Sequence, residues 1–225
     1  VLRSAPTDNV TVTGTVSDND STEVSVSPTT LTFSPSDWLV VQWVTLTGKD
    51  DNVSDDNQSV LLTLTPSSSG DGKYDNSSLA QTLTVTNLDN DTVGLLLSKD
   101  NATVSEDGSL IDNLSVSLNS QPLDNVTLRL SDNDSSEVLV SPTSLTFSPD
   151  NWSVAQWITL SGVNDNARDG SQSILLTVAS DNSTSDANYS NLSENVMVTT
   201  YDLAVVMIDN VSVSENATTA TMTLR

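Results

Sequence analysis

Residues 17–48 read SDNDSTEVSVSPTTLTFSPSDWLVVQWVTLTG, and residues 131–162 read SDNDSSEVLVSPTSLTFSPDNWSVAQWITLSG. The two stretches lie 114 residues apart and align without a gap. Self-similarity at a fixed period marks a repeat architecture in which each period is one folded unit. Inside the stretch, apolar and polar residues alternate, the period of a half-buried strand. Across residues 41–47, Val44 and Leu46 point one way, Trp43 and Thr45 the other. The second copy keeps this, with Ile158 and Leu160 set against Trp157 and Thr159.

Working outward, residues 58–63 (QSVLLT) answer 172–177 (QSILLT), and residues 82–89 answer 195–202. Residues 1–6 align with 117–122, and residues 223–225 align with 117–119. The expectation is a chain that starts and stops at one equivalent point inside a strand. Residues 1–91 form a first repeat lacking its opening strands. Residues 92–203 form a complete second repeat, and residues 204–225 are the opening strands of a third. A strand cut in this way leaves an unpaired edge. Either the chain is one unit of a longer array, or separate chains join head to tail by donating strands. Both give a linear assembly.

Alternation also predicts strands over residues 10–16, 23–27, 30–33, 60–65 and 81–86, with the same set in the second repeat. SPT, SPS, SPD, GDG and DN pairs mark the turns. No amphipathic helix is evident. Many short strands at this spacing, rich in Val and Thr, predict all-β tandem Greek-key sandwiches of Ig-like type. Trp38 and Trp152 follow turns and are expected to plug the sandwich end. Trp43 and Trp157 have two readings. They cover threonine methyls on the outer sheet face, or they are exposed anchors for a neighbouring subunit or a sugar.

Composition narrows function. The 225 residues hold no cysteine and no histidine, which removes disulfides, thiolate metal sites and the commonest general base. Thirty acidic residues stand against seven basic ones, a net charge of −23. Nucleic acid and anionic membranes are therefore excluded as expected partners. Such charge often accompanies disorder, but the 36% hydrophobic content is ordered in alternating runs. No run of about 18 apolar residues offers a membrane span, and no leader is visible at Val1. No P-loop, dinucleotide glycine motif or GxSxG occurs. The carboxylates sit in turn-like repeats without a sugar cleft, so a non-enzyme is expected.

The run VSPTSLTFSPDNWSVAQWITLSGVNDN (residues 140–166), an acidic DG turn, the closing VTNLDND (85–91) and the opening VSEDG (104–108) resemble the Calx-β repeats of large bacterial and archaeal surface proteins and adhesins. That resemblance implies a seven-stranded sandwich, with calcium held at one end in some members. It implies Glu106 as the first-strand ligand, Asp132 and Asp134 in one loop, Asp165 and Asp169 in another, and Asp202 at the close. The first-repeat counterparts are Asp18, Asp20, Asp50, Asp51, Asp55, Asp89 and Asp91, and Glu215 is the third repeat's first-strand glutamate. Asn164 replaces Asp50, and Tyr201-Asp202-Leu203-Ala204 replaces Leu88-Asp89-Asn90-Asp91, so the second site is expected to be the weaker.

Calcium takes six to eight oxygen ligands, and carboxylates concentrated at loops suit it. The competing reading is that Asp and Asn simply form turns. Asparagine carries a second signal. N-x-[ST] occurs at Asn9, Asn19, Asn52, Asn57, Asn76, Asn90, Asn101, Asn113, Asn125, Asn133, Asn151, Asn182, Asn188, Asn191, Asn210 and Asn216. That is 16 of 21 asparagines, where chance predicts about six or seven from the Ser and Thr content, so N-glycosylation competes with duplicated composition bias.

These readings converge on a structural repeat module of an extracellular or cell-surface filament, sheath or stalk. Its partners are copies of itself or adjacent repeats. The alternative is an adhesin module taking carbohydrate or another surface ligand through Trp43 and Trp157. An enzyme accessory domain is a third, weaker class.

Overall fold

The computed structural model describes residues 1–17, 23–167, 169–181 and 183–202. Of the expected sites, Asp18, Asp20, Glu215, Asn19, Asn182, Asn210 and Asn216 lie outside the described residues, as does the expected third-repeat segment, residues 204–225. The chain divides into two compact units, Val1–Thr92 and Val93–Arg225. Both are all-β, as the alternation predicts, apart from one short 3-10 turn at Ser77–Leu79.

The second unit holds β7 (Leu95–Leu97), β8 (Asn101–Ser105), β9 (Ile111–Leu118), β10 (Val126–Asp132), β11 (Val138–Ser141), β12 (Ser144–Phe147), β13 (Gln156–Gly162), β14 (Gln172–Ser180) and β15 (Ser193–Tyr201). These form two sheets, β12-β10-β14-β15-β8 and β11-β13-β9-β7. The opening segment is shared between the sheets: β7 runs antiparallel to β9, and β8 runs parallel to β15. Chain-sequential strands in opposite sheets make this an Ig-like Greek-key sandwich. The period-2 pattern explains its core. Ile158 and Leu160 of β13 are fully buried while Trp157 and Thr159 face outward. They pack with Leu114 and Val116 of β9, Leu128 of β10, Leu176 of β14 and Val196 and Val198 of β15. Each such leucine contributes about 1.5–3 kcal/mol by leaving water. Trp152 packs partly buried against this cluster, as expected of an end plug. Buried Tyr189 donates its hydroxyl to Ser120 O at 2.6 Å and accepts from Ser120 N at 3.1 Å.

The first unit holds β1 (Val10–Ser17), β2 (Val24–Ser27), β3 (Thr30–Phe33), β4 (Thr45–Gly48), β5 (Gln58–Ser67) and β6 (Gln81–Asn87). They form the sheets β3-β1-β5-β6 and β2-β4. Counterparts of β7, β8 and β9 are missing among the described residues. Consequently β4 pairs with β2 alone and β6 with β5 alone among those residues.

That difference corrects one strand boundary. Residues 41–47 alternate as their second-repeat counterparts do, yet β4 starts only at Thr45, whereas β13 starts at Gln156. The beginning of β13 is held by β9, with Gln156 opposite Val116, Trp157 opposite Ser115 and Ile158 opposite Leu114. Nothing described lies beside Gln42–Val44 to do the same. One contact at this end is nevertheless common to both units. Leu2 N–H donates to Trp38 O at 3.1 Å, as Leu118 N–H donates to Trp152 O at 2.9 Å. Core burial suffers too. Leu46 is half-buried where Leu160 is enclosed, and Leu83 is 54% exposed where Val196 is 0% exposed.

Candidate metal centre

In the second unit the acidic end is built from four segments. Glu106 follows β8 directly. Glu137 directly precedes β11, and its carbonyl accepts from Val163 N at 2.9 Å, which prolongs the β11–β13 ladder. Asp165 and Asp169 come from the loop after β13, and Asp202 follows β15. A carboxylate oxygen from each of Glu137, Asp165 and Asp169 lies within 4.8 Å of the others. Two oxygens on one calcium ion stand no more than about 5 Å apart, given bonds of about 2.3–2.6 Å.

The glutamates are the informative members. Glu106 and Glu137 are buried, and Glu106 Oε1 and Glu137 Oε2 have no hydrogen-bond partner among the described residues. Burial, followed by the charges of Asp202, Asp165 and Asp169, pushes the Glu106 carboxyl above its usual range. Burial, followed by Asp169, Glu106, Asp165 and Asp134, does the same to Glu137. A buried carboxylate without a partner is strongly unfavourable. A hard divalent cation satisfies several such oxygens at once, and an all-oxygen donor set fits calcium.

The first unit gathers the corresponding residues differently. Glu23 is buried, but its Oε2 accepts from Asn87 Nδ2 at 2.9 Å. The second-repeat residue in place of Asn87 is Thr200, too short for this, and its own Oγ1 is buried without a partner. Asp89 organises the loop, accepting from Asp55 N at 3.1 Å and Asp56 N at 3.0 Å through Oδ2, and from Asp91 N at 2.8 Å through Oδ1. Burial and then neighbouring acids, Asp51 foremost for Asp55 and Asp89 for Asp91, raise the carboxyls of both. A cavity of about 220 Å³ opens among Glu23, Gly48, Lys49, Asp50, Asp51, Asp55, Asp56, Asn87, Leu88, Asp89, Asn90 and Asp91.

Among the expected ligands, Glu106, Asp165, Asp169 and Asp202 converge in the second unit, and Asp50, Asp51, Asp55, Asp89 and Asp91 line the cavity of the first. Asp134 is exposed, with its Oδ1 taken by Ser136 N and Oγ. Asp132 ends β10, half-buried. Asn164 turns its Oδ1 to Asn166 N at 2.9 Å. Sequence reasoning missed Glu23 and Glu137. The signal was present: the chain has five glutamates, and two of them occupy one repeat position immediately before a strand.

Trp43 and Trp157 are 82% and 64% exposed. Of the sequon asparagines described, Asn9, Asn52, Asn57, Asn76, Asn90, Asn101, Asn113, Asn125, Asn133, Asn188 and Asn191 are exposed. Asn151 is half-buried, and its Oδ1 accepts from Ser148 N at 2.6 Å.

No family model and no curated protein sequence matches the chain. Among solved structures, the periplasmic chaperone SfaE is similar at 10% identity and a TM-score of 0.39, over 51% of this chain and 60% of the chaperone. This chain thus spans less than two thirds of that protein. Domains 4 and 5 of the S-layer protein SbsC are similar at 16% identity and a TM-score of 0.37, over 88% of this chain and 72% of theirs. The apo form of the Calx CBD1 domain is similar at 12% identity and a TM-score of 0.35, over 49% of this chain and 98% of that domain. Likenesses this distant carry no functional argument.

Proposed function

We propose that this chain is a non-catalytic structural repeat of a Calx-β-like extracellular filament, sheath or stalk, and that the acidic ends of its sandwiches hold calcium. The observation that carries the reading is the pair of buried glutamates, Glu106 and Glu137, whose free oxygens sit among Asp165, Asp169 and Asp202. A sandwich gains nothing from enclosing repelling carboxylates unless a cation joins them. The joined groups come from the ends of β8, β13 and β15 and the start of β11, so a bound ion would tie both sheets together at one end and stiffen the module. Exposed sequons and high negative charge support a hydrated outer surface. Linear assembly proceeds through adjoining repeats or through strands donated between copies.

An adhesin module is the second reading, favoured by the exposure of Trp43 and Trp157. Thermal unfolding with calcium and with chelator tests the leading one. Calcium should raise the melting temperature of the second unit, and Glu137→Gln should remove most of the rise. An identical melt in calcium and chelator would refute the metal site. Glycan-array binding lost on Trp157→Ala would move the assignment to the adhesin.

A further inference from the structure

We infer that Asn113 carries an N-linked glycan and that the first pyranose ring of this glycan lies on the exposed indole face of Trp157. The inference rests on reading the exposed sequons as glycan acceptors and is independent of calcium.

The ladder between β9 and β13 brings the two residues together. Asn113 stands opposite Thr159, and Ser115 opposite Trp157. Residues two apart on a strand share a face, so these four side chains form one patch on the outer side of the sheet. Leu114 and Ile158, between them, are fully buried in the core. Asn113 is thus diagonal to Trp157. Diagonal partners on an antiparallel face have Cβ atoms about 7–8 Å apart, within reach of aromatic and long side chains. An asparagine lengthened by a sugar is such a side chain.

Asn113 is also set up as an acceptor. It opens the sequon Asn-Leu-Ser of residues 113–115 and is exposed. Thr159 Oγ1 donates to its Oδ1 at 2.8 Å, which holds the amide in place. Its Nδ2, the atom that takes the sugar, makes no hydrogen bond among the described residues. Asn101 of β8 is the other sequon asparagine inside a described strand. There Nδ2 donates to Asp100 Oδ1 at 2.9 Å, and the residue opposite is Met197 rather than an aromatic.

The surroundings suit a sugar. Trp157 is 64% exposed, and so large an apolar face is unfavourable in water. A pyranose presents a face of C–H bonds, whose positive ends suit the negative face of an aromatic ring. Beside Trp157 the outward side chains of β9 and β13 include Asn113, Ser115, Ser117, Thr159 and Ser161. None of these is ionised, although the chain carries thirty acidic residues. Amides and hydroxyls both donate and accept, as sugar hydroxyls do.

Attachment requires a glycosyl phosphate donor and a transferase of the host. The bond from Nδ2 to the sugar C1 forms as the C1–O bond to phosphate breaks. The phosphate leaves with the electron pair, and Nδ2 loses one proton to a base of the transferase.

Glycopeptide mass spectrometry of the full chain from its native host tests the attachment. Sugar on Asn113 is the expected result. If other sequons carry sugar and Asn113 is bare, this inference falls and the reading of the sequons stands. If every sequon is bare, both fall. Stacking is tested in the same host with Asn113→Gln, Trp157→Ala and the two combined, each glycoform verified by mass. Asn113→Gln should lower the melting temperature of the second unit by about 2–4 °C when Trp157 is present. On the Trp157→Ala background it should leave the melt unchanged. Acrylamide quenching of Trp157, read as the difference from a matched Trp157→Phe chain, should become about twofold faster after Asn113→Gln, because one of two ring faces is uncovered. An equal drop in melting temperature on both backgrounds would overturn the stacking, as would quenching indifferent to Asn113→Gln.

Discussion

The two acidic ends descend from one repeated sequence and solve the same problem differently. In the second unit Glu106 arrives on its own opening strand, and Glu137 is left with an unpartnered oxygen among aspartates. In the first unit that strand is missing from the described residues, and Asn87 donates to Glu23 in its place. The same repeat position, Asn87 or Thr200, thus decides whether the glutamate is satisfied by protein or left for a cation. The comparison teaches that burial alone does not make the acidic site. Aspartates in loops and a buried glutamate before a strand are common to both ends, and the second unit differs in adding Glu106 and in leaving Glu137 Oε2 without a protein partner.

The largest expected effect lies in the core and breaks the symmetry between the units most plainly. Leu160→Ala removes a side chain with no exposure and should cost about 2–5 kcal/mol. The matching Leu46→Ala, in a half-covered position, should cost about 1 kcal/mol or less. Urea unfolding, with hydrogen exchange to assign each transition to its unit, separates the two. Equal losses would mean that the first unit's core is as closed as the second's.

Next in size is the metal effect. Calcium at about a hundred times its dissociation constant stabilises the unit that binds it by about 2.7 kcal/mol. Glu137→Gln should remove that gain, and Glu23→Gln should leave the second unit's gain intact. Chemical denaturation at fixed free calcium reads both.

Much of this contrast escaped the sequence, for identifiable reasons. The alternation in residues 41–47 and 155–161 is alike, so the sheet faces of Trp43, Val44, Trp157 and Ile158 were legible in advance. Whether such a stretch becomes a regular strand depends on a neighbour that alternation does not report, which is why β4 is shorter than β13. The aspartates drew attention because turns and metal sites favour the same residue. Several prove to serve the turns: Asp51 Oδ1 accepts from Val53 N and Asp165 Oδ1 from Ala167 N, each at 2.8 Å. Glu23 and Glu137 were hidden by sitting at strand starts, where one extra methylene carries the carboxylate under the loops.

Acidity gives a smaller effect of defined sign. The Glu106 and Glu137 carboxyls titrate above their usual range in the folded chain, so the native state binds more protons than the unfolded one as they titrate. The contribution of these two glutamates to the stability of the second unit without metal should therefore fall as the pH rises through their titration, opposite in sign to that of Asp107, Asp112 and Asp181, whose carboxyls lie below the usual range. Calcium should flatten that slope, because it replaces the protons. Melting across pH 4 to 8 in chelator, then in calcium, checks both signs. A Glu106→Gln, Glu137→Gln variant whose pH slope in chelator matches that of the unaltered chain would contradict the raised titration of these groups.

The smallest effect belongs to the tryptophans. Trp43→Ala and Trp157→Ala should each change folding stability by no more than about 0.5 kcal/mol, since both rings face solvent. A larger loss for Trp157 alone would show that the outer face of β13 carries packing that the first unit lacks.

The most direct test is calorimetric titration of calcium into the full chain and into a Glu106→Gln, Glu137→Gln double variant whose fold is verified by circular dichroism. The account predicts that the double variant loses binding to the second unit while binding at the first unit's acidic cluster is unchanged. Unaltered calcium binding in that variant would contradict it, because the site would then owe nothing to the two buried glutamates.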